Sequence, residues 1–292
     1  MEIINTFEQL INACKNENKK IYEIAIESEV FMGEYTKEDI LLQAKKSLKA
    51  MKQAIQEGLS SSELSLSKMS GDDCKKLQEY FKKENSLLSP IAQKIATYAL
   101  ATAEQNIRMG TIVACPTAGS CGIVPANIIA YSEEYNVKEE DEINALITAG
   151  EIGKLVSIKM PLAGAVGGCQ AECGVASAMA AAALSQLRGG DISQIINSAA
   201  LALKNILGLT CDPVCGLVEI PCIKRNPFMA MHALNASELA MAGIVSKIPI
   251  DEIVDTMEKT GKLMSPLLKE SSQGGLAKTE TALKLEKELK HH

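Results

Sequence analysis

Tryptophan is absent from the 292 residues, and aromatic residues of all kinds make up 3%. The core therefore cannot be organised around large rings. It must be built from Ala, Ile, Leu, Val and Met, small or flexible side chains that suit close helix–helix packing. Histidine is nearly missing: there are 3, and two of them are the terminal His291-His292. That pair reads as the end of a purification tag. The remaining one, His232, lies in the helical context MHALNAS and reads as a packing residue, so a Ser-His-Asp triad is not expected. Alternating β-branched runs bounded by tight turns are scarce, which argues against a sheet. No Lys/Arg stripe is interleaved with aromatics and the net charge is −6, which excludes a nucleic-acid backbone as partner. No run reads as a membrane span, so no membrane association is expected. The start, MEIINTFEQLINACKNENKK, is not a signal peptide, and the expected location is cytoplasmic. Neither a P-loop nor a G-x-G-x-x-G between strand and helix is found. A pyridoxal phosphate site is not expected either, because the helical pattern does not suit its fold and no Lys lies in the first two Gly-rich loops.

Apolar residues at 47% and charged residues at 23% give an ordinary globular balance. Helical patterns recur. One is expected over 36–58 with Thr36 as N-cap, and another from Ser89-Pro90 with Ser as N-cap and Pro at N1. Residues 138–157 open on the acids Glu139 to Glu142, which suit the positive end of a helix dipole. Residues 174–188 are apolar or small nearly all round, the signature of a buried helix ended by Gly189-Gly190. Asp191 with Gln194 makes a capping box for a helix to about Ile206, and further helices are expected after Pro227 and after Pro249. The fold class is mostly α: a single helical domain with Gly/Pro-rich loops carrying the site. Within it, residues 1–85, rich in Lys, Glu and Ser, read as an N-terminal helical lobe or cap. Residues 86–277 form the catalytic helical region, and 278–292 a polar tail.

Three segments interrupt the helices: 110–126, 160–173 and 207–227. All are rich in Gly and Pro and hold cysteines. Loops held by rigid helices are where chemistry usually sits. Of the 9 cysteines, the seven at 115, 121, 169, 173, 211, 215 and 222 fall in or beside these segments. An odd count without an export signal favours metal or redox chemistry over disulfides. Cys169, Cys211 and Cys222 follow the pattern C-x41-C-x10-C, each with Gly or Pro close by. Three thiolates suit an iron–sulfur cluster with one iron left open as a Lewis acid. Cys169-x3-Cys173 with Cys211-x3-Cys215 equally suits a four-thiolate zinc site, and plain buried cysteines are the third reading. The loop Pro116-Thr117-Ala118-Gly119-Ser120-Cys121-Gly122 opens a helix and offers N–H groups and hydroxyls as a seat for a carboxylate.

These residues resemble a known family. ACPTAGSCGIVPA (114–126), GGCQAECGVASAMAAAAL (167–184) and GLTCDPVCGLVEIPCIKRN (208–226) look like the signature segments of the iron–sulfur L-serine dehydratases, α part, and the likeness runs from about residue 20 to 277. The resemblance implies a [4Fe–4S] cluster on Cys169, Cys211 and Cys222, with Thr117, Gly119, Ser120 and Gly122 holding the substrate carboxylate. It implies L-serine as substrate, deaminated to pyruvate and ammonia by Lewis-acid-assisted elimination of water. It also implies a separate β subunit, because no Ser-Ser-His-Thr-type segment is present, and hence a hetero-oligomer. The alternatives are a cluster-dependent β-elimination lyase acting on L-cysteine or a similar amino acid, and a zinc-stabilised thiol-sensing scaffold subunit. The sequence departs from the family pattern at Cys215, at Cys115-Pro116-Thr117 and at Ser70-Gly71-Asp72. The SSQGGLA segment at 271–277 reads as a mobile flap, and no catalytic base is identified.

Overall fold

The computed structural model describes residues 3–83 and 86–290; the terminal His291-His292 lies outside the described residues. Thirteen α-helices and no named strand occur among them. In chain order they are α1 (Phe7–Glu17), α2 (Ile21–Met32), α3 (Lys37–Ser60), α4 (Asp73–Phe81), α5 (Pro90–Ile107), α6 (Ile123–Tyr135) and α7 (Glu139–Lys159). There follow the short α8 (Gly164–Gly167), α9 (Val175–Leu187), α10 (Ile192–Asn205), α11 (Cys222–Met241), α12 (Ile250–Leu263) and α13 (Glu280–Lys290). No helix among the described residues is long and apolar enough to cross a membrane.

Local chemistry explains most boundaries. Thr36 accepts from the Asp39 N–H while the Asp39 side chain accepts from the Thr36 N–H, a reciprocal cap on α3. Asp191 and Gln194 do the same for α10. Pro90 sits at the first position of α5, as expected, although Ser89 makes no side-chain cap bond. Helix α4 borrows its cap from elsewhere: the Glu104 carboxylate on α5 accepts the N–H groups of Asp73 at 2.7 Å and Cys74 at 3.1 Å. One boundary differs from the sequence reading. The helix expected after Pro227 begins at Cys222, and Pro227 lies inside it. Proline is a start signal only where no N–H is required. Here the first turn is supported by Asn226, whose Nδ2 donates to the Cys222 carbonyl at 3.1 Å.

Helix α9 is the centre of the molecule. Every residue from Val175 to Ser185 is buried, and α6, α7, α10 and α11 pack around it. Its alanines let those neighbours come close, the aromatic-poor packing that the composition demands. One core cluster runs from Ile4 on the N-terminal side to Met257 on α12, so the first three helices share it with the rest. The Ser-rich stretch after α3 is also tied in. The Ser65 and Ser67 hydroxyls donate to the buried Glu219 carboxylate at 2.8 and 2.9 Å, and Ser70 donates to it as well. The 271–277 segment, read as a flap, is docked. Leu276 donates its N–H to Asp212 Oδ2 at 2.9 Å, and Ala277 is buried.

Helices α3 and α5 cross at Gly58, where an added Cβ would lie 2.2 Å from the Ala101 carbonyl oxygen. Gly150 on α7, in contrast, has nothing within 4 Å of a Cβ. Gly58→Ala should therefore destabilise the chain by about 1–3 kcal/mol. Gly150→Ala should stabilise it by about 0.5–1 kcal/mol, through lower entropy of the unfolded chain and better helix propensity. Urea denaturation of the two variants checks both signs.

Candidate metal centre

The three Gly/Pro-rich segments meet against the first turn of α11. Cys169 caps the N-terminus of a π-turn, Gln170–Gly174, that leads into α9. Cys211 sits in a loop pinned by the chain after α12: its N–H donates to the Leu268 carbonyl at 2.9 Å, and its carbonyl accepts from Glu270 at 2.6 Å. Cys222 is the first residue of α11. All three are buried. The Cys169 and Cys211 sulfurs and a Glu172 carboxylate oxygen lie within 4.8 Å of one another, a group able to hold a metal ion. Room for that group depends on Gly164, where a Cβ would lie 2.5 Å from Glu172 Oε2 and 2.9 Å from Cys211 Sγ.

Arg225, one turn along α11 from Cys222, binds across the pocket. Its Nη1 donates to Cys169 Sγ at 2.9 Å and to the Thr210 carbonyl at 3.0 Å, and its Nη2 donates to Asp212 Oδ1 at 3.0 Å. Hydrogen bonds from the Cys173 and Cys211 thiols, helped by the Arg225 guanidinium, hold the Cys169 thiol well below its ordinary value despite its burial. The same bonds to Cys169, with burial, push the Cys173 and Cys211 thiols up. Burial, with the Cys169 charge behind it, pushes Cys222 up to about 12. Among these thiols negative charge is favoured on Cys169, beside the Arg225 guanidinium. Glu172 is pushed up to about 7 by burial and then by the Cys169 charge, against hydrogen bonds from Thr117 and the Gly164 backbone.

The loop expected to seat a carboxylate is at the same place, but its groups are divided. Thr117 reaches Glu172. The Ser120 hydroxyl is buried and turned inward, donating to the Cys115 and Thr117 carbonyls at 3.3 Å. Gly122 donates its N–H to Asn226 Oδ1 at 2.9 Å, and the Gly119 carbonyl accepts from Asn226 Nδ2 at 2.8 Å. Gly122 and Ser120 therefore shape the loop, and Asn226 anchors it to α11. Cys215 lies apart in a left-handed turn, where Glu286 and Lys290 of α13 act on its thiol. His232 is spent on the Ala202 carbonyl at 3.0 Å. Sequence reasoning missed Glu172 and Arg225. Each lies three residues from a singled-out cysteine, and that spacing brings side chains together on one helical face.

The fold and site define a helical protein whose loops bring two buried thiols and a carboxylate, beside a guanidinium, into a group that could hold a metal ion. The chain matches the serine dehydratase alpha chain family over residues 16–277 and belongs to it. It is 45% identical over 282 residues to the probable L-serine dehydratase alpha chain of Bacillus subtilis (strain 168), covering 97% of this chain and 94% of that one. It is 37% identical over 287 residues to the L-serine dehydratase alpha chain of Peptoniphilus asaccharolyticus, covering 98% of each. Against the L-serine dehydratase TdcG of Escherichia coli (strain K12) it is 44% identical over 186 residues, which are 63% of this chain and 41% of that one.

Because Glu172 keeps its proton in the fold up to about pH 7, it contributes stability that is fully present below the ordinary carboxyl value, about 4.3. That contribution is lost as pH rises through 7. Glu172→Gln has no proton to lose. Compared by thermal melting in chelator, the variant should gain on the wild type between pH 5 and about 7 and level off by pH 8. A difference that stays constant over that range would show that Glu172 ionises like a surface carboxylate.

Proposed function

We propose that the chain is the α subunit of an L-serine dehydratase, which removes water from L-serine and yields pyruvate and ammonia. We further propose that it holds a [4Fe–4S] cluster through Cys169, Cys211 and Cys222. The observation that carries the reading is that the Cys169 and Cys211 sulfurs and a Glu172 carboxylate oxygen lie within 4.8 Å of one another beside Arg225; Cys222, buried at the start of α11, stands outside that close group but near enough for the Cys169 and Glu172 charges to act on its thiol. Relatives named L-serine dehydratase alpha chain, matched over more than nine-tenths of their length, support the reaction. The donor set fits the cluster. Thiolates are the ligands iron–sulfur clusters take, and Gly164 leaves free the space beside Cys211 that any side chain would fill.

Bound to three thiolates, such a cluster supplies a Lewis-acidic iron that eases departure of the substrate hydroxyl. The chain's residues do the rest. Arg225 donates to Cys169 Sγ and so helps to hold negative charge there. Thr117 and the backbone at Gly119 receive the substrate carboxylate, in a loop whose shape Ser120 and Gly122 maintain. Glu172 holds a proton beside the thiols near neutral pH. Removal of the Cα proton needs a further positioned base. His232 is engaged with Ala202 and lies about 15 Å along α11 from Cys222, so the base is assigned to a separate β subunit, in keeping with the alpha-chain naming of the relatives. Free thiols of this kind suit a reducing cytoplasm.

Purified without oxygen, the chain should contain iron and acid-labile sulfide. Cys169→Ala, Cys211→Ala and Cys222→Ala should each abolish stable cluster binding, while Cys173→Ala and Cys215→Ala keep it. Zinc in place of iron, lost in the Cys173 or Cys215 variant, would instead favour the four-thiolate zinc site.

The reconstituted chain by itself should form no pyruvate from serine until the β subunit is added. Sustained turnover at a rate unchanged by the partner would place the base within residues 1–292.

A further inference from the structure

We infer that Arg225 is the positioning residue of the centre: one guanidinium sets the geometry of two ligand loops and the charge on one ligand sulfur. This deepens the cluster reading above and rests on it. Arg225 stands three residues after Cys222 and donates to Cys169 Sγ, to the carbonyl of Thr210 just before Cys211, and to Asp212 just after it. It therefore connects all three ligand positions. Arginine suits this place because its N–H groups form a rigid planar fork; lysine offers a single point charge.

The arrangement is more than packing. The Arg225 and Asp212 side chains are 15% and 8% exposed, and a buried cation needs counter-charges and filled hydrogen bonds. Asp212 supplies one anion and the Cys169 thiolate another. Asp212 is fixed in turn, since its second oxygen accepts from Leu276 at 2.9 Å. The guanidinium is thus held in one orientation before any metal arrives. Donors to a cluster sulfur draw negative charge away from it, which raises the reduction potential and lowers the basicity of the ligand. Arg225 accordingly tunes the centre as well as shaping it.

The test compares wild type, Arg225→Met, Arg225→Lys and Asp212→Asn, each loaded without oxygen. Four readouts are taken: iron and sulfide content, midpoint potential by spectroelectrochemistry, the rate of bleaching by a chelator, and helix content by circular dichroism. Arg225→Met should load, show a lower midpoint, and lose iron about 10–100-fold more readily. Arg225→Lys should bring the midpoint back toward wild type by restoring charge, yet still bleach faster, because one ammonium cannot hold both loops. Asp212→Asn, which frees the guanidinium from its anchor, should bleach at a rate between wild type and Arg225→Met. A midpoint and bleaching rate in Arg225→Met equal to wild type overturn the inference, as does a lowered midpoint that Lys fails to raise. If Arg225→Met lacks native helix content, Arg225→Lys decides alone: faster bleaching than wild type supports the role, and an equal rate overturns it. Wild type without iron and sulfide overturns the cluster reading itself, a result distinct from the others.

Discussion

A largely buried cation has to be met by acceptors, and the guanidinium of Arg225 imposes that requirement where three loops converge. Its acceptors are a sulfur from one loop and a carbonyl and carboxylate from another. The next residue, Asn226, answers the third loop with both ends of its amide, bonding the Gly122 N–H and the Gly119 carbonyl. Cys222, Arg225 and Asn226 occupy little more than one turn of α11. A single helical turn therefore organises nearly all the polar geometry of the pocket, and the loops inherit their shape from it.

That turn is placed by packing of another kind. Helix α11 lies against α5, α9 and α10, and α9 is buried from Val175 to Ser185 through small side chains. Close packing of alanine-rich surfaces leaves little freedom for a helix to shift. The rigidity of the pocket comes from this core, while its chemistry comes from segments that cannot be helical because Gly and Pro interrupt them. Glu219 joins the two. It stands in the third loop, is buried, and is bonded by serines from the stretch after α3. The Ser-rich stretch, read from composition as part of an N-terminal lobe or cap, braces the third loop.

The helical class, the capping of α3 and α10, the buried α9 and the three interrupting segments were all legible in the sequence, since each depends on residues close together along the chain. The start of α11 was not. Pro227 carries a local start signal, and the real start depends on a side chain folding back within the turn. The cysteines were legible as candidates from their Gly/Pro surroundings. What each neighbouring group does was not, because pairs such as Cys169 with Arg225, or Glu172 with Thr117, are joined only by the fold. The loop 117–122 shows the same limit. Its residue types suit anion binding, yet the direction of each group depends on Asn226, a hundred residues away in sequence.

The docking of residues 268–276 onto Cys211 and Asp212 also bears on the order of events when the chain is made. Chains emerge from the ribosome N-terminus first. When Cys222 has been added, residues 223–276 are still to come, and with them the carbonyl of Leu268 and the N–H groups of Glu270 and Leu276 that hold the Cys211–Asp212 loop. Arg225, too, follows every cysteine it organises. Until then the thiols belong to an unfinished pocket and behave as separate nucleophiles. The group that could hold a metal ion thus gains its last supporting bonds only when residue 276 is in place, and a nascent chain stalled before that residue would lack the contacts that fix the Cys211 loop.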